Sequence, residues 1–345
     1  MPPKTFSRAA IFWLAVCALV MARCPGSAWA QQADWNQVIA AAKKEGKLVL
    51  YTAFTGQKST KDITDAFEKK YGIAVDVLEA RASEIRERVR VEQSAGRFAA
   101  DVMFTSEGQT KLYDREDKTV APLPMTPARA GVKTQFMLPV PMAAVMSIPY
   151  GILINTNLVK AADEPKSWAD VADPKWKGKI LADDTRAAGG GYLWYFVTYG
   201  ALGEEFHHKV AANGPIFTRD QRESQRRIAR GEFALYLPLT LPDSLTLKGL
   251  PVKAIMPAEG APYVLYGNIV LKNAPHPNAA KLYLDFLQTR DAQLVYARLG
   301  HGYVIDGIEN EIPAEARAIS GVKPLGTTDP DRQTEMIELA RRIYK

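Results

Sequence analysis

Strand-like and helix-like segments alternate along most of the chain, with only short turns between them. The apolar run KLVLYT at 47–52 is typical of a buried strand, and the next segment, 59–71, has apolar residues at helical spacing. The same order returns in a strand, a helix and a strand at 73–78, 83–95 and 101–104. Because strands separated by helices of about ten residues form parallel β-α-β units, this alternation predicts an α/β fold.

A second series of alternating segments follows a proline-rich interval at 122–149. Two series predict two α/β lobes joined by a hinge, and we expect the chain to cross between them near 140–150 and 262–268. The first lobe is predicted to comprise residues 31–145 and 265–302. The second is predicted to comprise residues 146–264 and 303–345.

The first thirty residues have the pattern of a secretory signal peptide. Lys4 and Arg8 precede the apolar stretch Ala9–Ala22, and Ala28-Trp29-Ala30 provides a cleavage site with small residues at both ends. The apolar stretch is shorter than the roughly 20 residues of a membrane-spanning helix. We therefore expect residues 1–30 to be removed on export.

Both cysteines, Cys17 and Cys24, lie in this leader, so the mature chain has no thiol for a disulfide, a metal site or a nucleophile. The formal net charge is +6, and Lys4, Arg8 and Arg23 of the leader account for half of it. The remaining charge is too small to indicate nucleic acid or an anionic membrane as a partner.

The segment DDTRAAGGGYLWY at 183–195 predicts a ligand-binding loop. Its three glycines lead into an apolar helix whose first amide groups have no intrahelical acceptor and can bind an anion. Arg186 can bind a carboxylate or phosphate, or it can pair with Asp183 or Asp184 on the same loop. No Gly-Lys-Ser/Thr follows, which excludes a nucleotide-phosphate loop. The alternative to ligand binding is a tight turn that faces solvent.

Six fragments occur in a fixed order after the leader: VLYTAFTG, ITDAFEKKYGIAVDVLEA, ADVMFTSEG, YGILINTNLV, SWADVADPKWKGKI and HPNAAKLYLDFLQTRDAQ. In that order they resemble the bacterial periplasmic solute-binding proteins of ABC importers, especially the branch of ferric-ion, thiamine and phosphorylated-compound receptors. The resemblance covers nearly the whole mature chain. It implies the type 2 periplasmic-binding-protein fold, a periplasmic location, one ligand between the lobes and delivery to an ABC permease in the inner membrane.

The resemblance also implies which loops line the cleft, and they follow the strands, where ligands of open α/β sheets bind. In the first lobe the candidate ligand-binding residues are Thr52, Phe54, Thr55, Arg81, Ser83, Thr105, Ser106 and Glu107. In the second lobe and the crossovers they are Tyr150, Arg186, Gly189, Gly190, Gly191, Tyr192, Thr240 and Tyr266. Plainer roles are open for several of them: helix capping for Ser83 and the 105–107 segment, core packing for the aromatic residues, and simple exposure for Arg81.

The segment LYLPLTLPD at 235–243 argues against iron. Iron receptors of this branch use neighbouring tyrosines here, because phenolate is a hard donor for a hard trivalent ion, whereas this chain has only Tyr236. The four histidines, His207, His208, His276 and His301, also lack a metal-binding spacing. We expect no metal and no cofactor, with a ferric-ion receptor as the alternative function.

The expected function is therefore a monomeric periplasmic receptor for a small polar, anionic organic solute. A secreted α/β enzyme is the rival class, and the chain lacks the Gly-x-Ser-x-Gly and His-Glu-x-x-His signatures, although paired carboxylates stay open. A chaperone or sensor would instead need a large exposed apolar groove. A basic stripe on one predicted helix is read as a solvent-facing surface or a docking surface for the permease or a lipid: Arg219, Arg222, Arg226 and Arg230.

Overall fold

The computed structural model describes residues 26–345 of the protein. Most of the predicted signal peptide, residues 1–25, lies outside the described residues. The strands are β1 (Lys47–Thr52), β2 (Ala74–Glu79), β3 (Val102–Ser106), β4 (Ala143–Asn155), β5 (Ile180–Asp183), β6 (Ile216–Thr218), β7 (Leu235–Thr240), β8 (Val252–Ile255), β9 (Ala261–Val270), β10 (Gly302–Tyr303) and β11 (Pro324–Gly326). The α-helices are α1 (Gly26–Glu45), α2 (Lys58–Tyr71), α3 (Ala82–Ser94), α4 (Glu107–Arg115), α5 (Gly190–Ala212), α6 (Gln221–Ala229), α7 (Pro277–Leu287), α8 (Arg290–Arg298), α9 (Ala314–Ser320) and α10 (Gln333–Ile343).

Across the sheet, hydrogen-bonded strands lie in the order β2-β1-β3-β9-β4-β7-β5-β6. In the first lobe β1 pairs in parallel with β2 and β3, and in the second lobe β5 pairs in parallel with β6 and β7. These are the parallel β-α-β units that the alternating sequence predicted. In each lobe the parallel strands therefore end at the same edge of the sheet. The loops that follow them can line a cleft between the two lobes.

Two long strands connect the lobes. In β4, residues 143–149 pair with β9, whereas residues 150–154 pair with β7 of the second lobe. In β9, residues 266–270 pair with β3 of the first lobe, whereas 261–262 pair with β11. Both strands include the segments in which the sequence predicted crossings.

Each lobe has its own hydrophobic core. In the first lobe Phe67 of α2 lies between strand residues and Phe286 of α7, and its ring centroid is 5.5 Å from that of Phe286. In the second lobe Trp168, Trp194 and Ile343 belong to one buried cluster. Separate cores allow the lobes to move as two bodies about the connecting strands.

The C-terminal third contributes to both cores. Val304, Ile308 and Ala316 pack in the first-lobe core, whereas residues 303–345 are expected from the sequence in the second lobe. Met336 of α10 packs in the second-lobe core. We therefore propose that the chain returns to the second lobe only after Ala316.

Two helix starts differ from those that the sequence indicates. Asp34 with Gln37 three residues later has the pattern of a capping box, but helix α1 begins at Gly26, so Asp34 lies inside it and does not cap it. Helix α3 is preceded by Arg81 in extended conformation, and the Arg81 N–H donates to the Glu84 carboxylate over 3.3 Å, so the cap position falls two residues before Ser83. In both cases the chain enters the helix earlier than the nearest good capping residue indicated.

Candidate functional site

A cavity of about 420 Å³ lies between the lobes, and we call it the glycine-loop cavity. Its first-lobe wall is the start of α4, with Ser106 and Glu107. Its second-lobe wall is the glycine loop with the start of α5. A third wall comes from the C-terminal segment before and within α10: Thr327, Thr328, Pro330, Gln333 and Thr334.

Two helices begin at this cavity, one in each lobe. Helix α4 starts after Ser106, whose Oγ accepts the Gln109 N–H over 3.4 Å. Helix α5 starts after Gly189. Because the first amide groups and the macrodipole of a helix favour negative charge, two such ends in one cavity favour an anionic group.

Asp183 already occupies part of the α5 start. Its Oδ2 accepts the Gly191 N–H over 2.8 Å and its Oδ1 accepts the Asp184 N–H over 3.0 Å. Burial raises the pKa of Asp183 above its usual value, and these two hydrogen bonds oppose that shift. The Gly191 amide, predicted as a ligand contact, is therefore used internally. In the described part of the chain no acceptor is found for the amides of Gly190 and Tyr192.

The close approach of α5 to the end of β5 explains the glycine run. A Cβ atom at Gly191 would lie 2.3 Å from the Asp183 carbonyl oxygen, which no side chain can tolerate. A Cβ atom at Gly190 would lie 3.3 Å from Cε1 of Tyr150, and Gly189 has a φ of 154°. The loop is glycine-rich because backbone meets backbone at Gly191 and neighbouring side chains approach closely at Gly190.

Tyr192 lines the glycine-loop cavity and has a buried, unsatisfied hydroxyl. The residue is 3% exposed, and its hydroxyl has no hydrogen-bond partner among the described residues. Burial raises the pKa of Tyr192 to about 12, so the hydroxyl stays protonated. A buried hydroxyl without a partner costs stability.

Glu107 places a carboxylate on the opposite wall. Burial raises its pKa, while Lys111, with Nζ 4.0 Å from the Glu107 carboxylate, lowers it. Lys111 Nζ also lies 4.0 Å from Asp329 of the C-terminal segment. Lys111 therefore offsets two carboxylates where the first lobe meets that segment.

The predicted aromatic residues divide the cleft. The rings of Phe54 and Tyr266 meet edge to face with centroids 4.7 Å apart, so no planar ligand fits between them. On the other side of the partition Gly190 and Tyr150 approach Gln221, whose Nε2 is 3.4 Å from the position of a Gly190 Cβ atom.

A second cavity of about 240 Å³ lies beyond this partition, and we call it the arginine cavity. It is lined by Phe54, Gln57, Ile148, Gln221, Arg222, Thr240, Pro242, Asp243 and His301. Thr240 Oγ1 donates to Asp243 Oδ2 over 2.5 Å, and Gln225 Nε2 donates to the same oxygen over 2.8 Å. This cavity also receives residues from both lobes.

The predicted site residues thus separate into three groups. The glycine-loop cavity is lined by Ser106, Glu107, Tyr150, Gly189, Gly190, Tyr192 and Tyr266. The arginine cavity is lined by Phe54 and Thr240. Neither cavity is lined by Thr52, Thr55, Arg81, Ser83, Thr105, Arg186 or Gly191.

Two of the residues outside the cavities have structural partners instead. Arg186 Nε donates to Asp184 Oδ1 over 2.8 Å, and its guanidinium lies 4.5 Å from the centroid of the Phe217 ring. The ion pair on the loop is therefore the partner that the structure shows for Arg186. Thr52 is fully buried, and its Oγ1 accepts the Phe54 N–H over 3.0 Å.

The family follows from the match of residues 51–294 to the family described as bacterial extracellular solute-binding protein. The chain belongs to this family. The members of this family are solute-binding receptors of ABC transport, and the family is not one of enzymes. A curated relative, an uncharacterized protein of Haemophilus influenzae, is 27% identical over 269 residues, which cover 74% of this chain and 77% of the relative.

Solved structures share the fold over most of their length. A ferric binding protein from Campylobacter jejuni has a TM-score of 0.67 at 19% identity and covers 86% of this chain and 98% of its own. The Trichodesmium protein FutA (IdiA), in complex with iron and citrate, has a TM-score of 0.71 at 20% identity and covers 87% and 100%. The substrate binding protein of an Agrobacterium tumefaciens ABC transporter has a TM-score of 0.68 at 18% identity and covers 87% and 94%. These similarities confirm the predicted two-lobed periplasmic-binding fold.

The described part of the chain, residues 26–345, contains neither a metal-binding cluster nor a membrane-spanning helix. No three His, Cys, Asp or Glu side chains of this range are grouped so that they could hold a metal ion. Tyr236, the one tyrosine of the 235–243 segment, is 1% exposed on β7. No helix of the same range has the length and apolar character needed to cross a membrane.

Proposed function

We propose that this protein is the periplasmic receptor of an ABC importer for a small polar, anionic organic solute, which it binds in the glycine-loop cavity. The observation that supports the proposal most directly is the composition of that cavity. Ser106 comes from the first lobe, Gly190 and Tyr192 from the second, and Thr327 and Thr328 from the C-terminal segment.

The charge of the solute is inferred from the two helix starts. The amides of Gly190 and Tyr192 point to a carboxylate or phosphoryl group at the α5 end, while Ser106 and the two threonines provide hydroxyls that orient it. Asp183 already lies at the same helix end, so a strongly charged anion is repelled more than a singly charged one. A solute with a single carboxylate, or a monoanionic phosphoryl group, suits this cavity best.

Contacts from both lobes also couple binding to closure. A solute that touches α4 and α5 together binds the closed form better than the open form, and this difference in affinity drives closure. Two ion pairs join α4 to the C-terminal segment: Arg115 Nη1 lies 3.2 Å from Asp331, and Lys111 Nζ lies 4.0 Å from Asp329. We propose that the permease recognises the closed form.

A ferric-ion receptor is the alternative, because the similar solved structures include ferric binding proteins. The segment 235–243, which reaches the arginine cavity through Thr240, has Tyr236 as its one tyrosine. Tyr236 is 1% exposed and lines neither cavity, so it is not placed to bind iron there.

The test is a thermal-shift panel on mature protein that has been freed of copurified ligand. The panel contains organic acids, phosphorylated compounds, amino acids, thiamine and ferric citrate. A solute at about 100 times its Kd stabilises by about 2.7 kcal/mol, which is roughly 5 to 10 °C for a chain of this size. We expect a carboxylate or phosphorylated compound to give the largest shift. A large shift with ferric citrate that citrate without iron does not produce would establish the alternative.

A further inference from the structure

The arginine cavity contains two opposite charges that do not pair with each other. Arg222 and Asp243 both line it. In the described part of the chain neither side chain has an oppositely charged partner with an N–O distance of 4.0 Å or less. Arg226 of α6 and Arg230, which directly follows the helix, differ because both pair with Glu223. Arg222 thus lines the arginine cavity without an ion-pair partner in the described part of the chain.

One oxygen of the Asp243 carboxylate is similarly left available. Its Oδ2 accepts from Thr240 and Gln225, which fixes the carboxylate in place. Its Oδ1 has no donor among residues 26–345. A carboxylate held by two hydrogen bonds on one oxygen presents the other one at low cost in conformational entropy.

The other polar groups of the arginine cavity are neutral. Gln57 of the first lobe and Gln221 of the second contribute amides. His301 is 9% exposed, and its Nδ1 is buried without a hydrogen-bond partner among the described residues. Burial lowers the pKa of His301 to about 4, so its ring adds no third charge at neutral pH.

We infer that the arginine cavity is a second binding site in the cleft, for a small zwitterion whose anionic group faces Arg222 and whose ammonium group faces Asp243. A simple anion would meet the Asp243 carboxylate, and a simple cation would meet Arg222, so each gains one favourable charge and one unfavourable charge. A group that carries both charges satisfies both side chains. The site goes beyond the proposed function, which concerns the glycine-loop cavity.

The two cavities adjoin at the ring contact of Phe54 with Tyr266 and at Gly190, which lies next to both Tyr150 and Gln221. Because Gln57 and Gln221 come from different lobes, the zwitterion site is complete only when the lobes are together. A zwitterion in this site therefore favours the same closed form as a solute in the glycine-loop cavity.

The test uses isothermal titration calorimetry on mature protein freed of copurified ligand. The probes are glycine, β-alanine and γ-aminobutyrate, which carry the two charges at increasing separation, together with acetate and methylammonium, which carry one each. We expect at least one zwitterion to bind with a Kd about tenfold below that of either single-charge probe. R222Q and D243N should each raise that Kd by about tenfold or more.

R226Q is the matched control, because Arg226 lies one turn further along α6 and is paired with Glu223. It should leave the Kd for the zwitterion unchanged. Y192F is the second control, since Tyr192 lines only the glycine-loop cavity. It should weaken binding of the solute found in the panel and leave the zwitterion unaffected.

Three results would overturn the inference. Acetate that binds as tightly as the best zwitterion would make this an anion site. Equal losses in R222Q and R226Q would show that only the general positive charge matters. An absence of heat for all three zwitterions, with a panel solute still bound through Tyr192, would remove this site and leave the proposed function intact.

Discussion

The two cavities of the cleft are built from different parts of the polypeptide. The glycine-loop cavity is built around two helix starts, and Asp183 fixes one of them through the Gly191 amide. The arginine cavity contains the charged side chains of Arg222 and Asp243, together with His301 from a third segment. A cavity built around helix starts depends on the path of the chain, whereas one with two unpaired charges depends on individual side chains. Substitutions should therefore damage the first through folding and the second through affinity.

The largest expected effect comes from G191A. The added Cβ would lie 2.3 Å from the Asp183 carbonyl oxygen, and relief requires the start of α5 to move away from β5. We expect a loss of about 3 kcal/mol in the free energy of unfolding, measured by urea denaturation. The matched control is G200A in the same helix, where nothing lies within 4 Å of the new Cβ and the change should be neutral or stabilising. Equal stabilities for the two variants would contradict the account of the glycine run.

The two cavities should also respond oppositely to pH. The folded pKa of His301 is about 4, below its unfolded value of 6.5, so its contribution is present above pH 6.5 and is lost as pH falls from there toward 4. The pKa values of Asp183 and Glu107 are raised, so their contributions are present at acidic pH, below the unfolded values, and are lost as pH rises through the folded pKa.

Urea denaturation from pH 4 to pH 8 distinguishes these contributions. Relative to the parent protein, H301N should flatten the fall in stability between pH 6.5 and 4. D183N should instead gain relative stability as pH rises from 4 toward neutral. Parallel stability curves for the parent and both variants would show that these groups titrate alike in the folded and unfolded chain.

A smaller effect is expected from Y192F. It removes the hydroxyl that has no partner in the described part of the chain, and the lost hydrogen bond to a bound solute corresponds to about 1 kcal/mol, or roughly a fivefold rise in Kd. Calorimetry with the best panel solute measures it. Y195F is the matched control, because the Tyr195 hydroxyl is also buried without a partner but does not line the cavity. A similar rise in Kd for Y195F would mean that the effect is not a solute contact.

The smallest effect is expected from R115Q. Arg115 and Asp331 are exposed to 60% and 66%, so their ion pair across the cleft should contribute less than about 0.5 kcal/mol to closure. Solute affinity in low salt should fall slightly in R115Q, and the difference should disappear in high salt. An effect that persists in high salt would indicate that Arg115 has a role other than this ion pair.

The features that the sequence predicted best are those that depend on the conformation of the backbone. The strand-helix alternation predicted the parallel units of both lobes, and the glycine run predicted a loop that leads into a helix. Ser106 was recognisable as a candidate because a capping residue directly follows a buried strand.

The remaining site residues left no such signal. Thr327, Thr328, Gln221, Arg222 and His301 are brought to the cleft only by the packing of distant segments. The sequence also left the role of Arg186 open, because its neighbour Asp184 could compete with a ligand, and the structure shows the hydrogen bond to Asp184. Sequence spacing does not determine which of two partners an arginine reaches.

A crystal structure of the mature protein with its tightest-binding panel solute tests the central claim most directly. We predict that the solute lies in the glycine-loop cavity, with polar contacts to Ser106 or Glu107 on one wall and to the amide of Gly190 or the hydroxyl of Tyr192 on the other. A solute that touches only one lobe, or that lies outside the cleft, would contradict the claim.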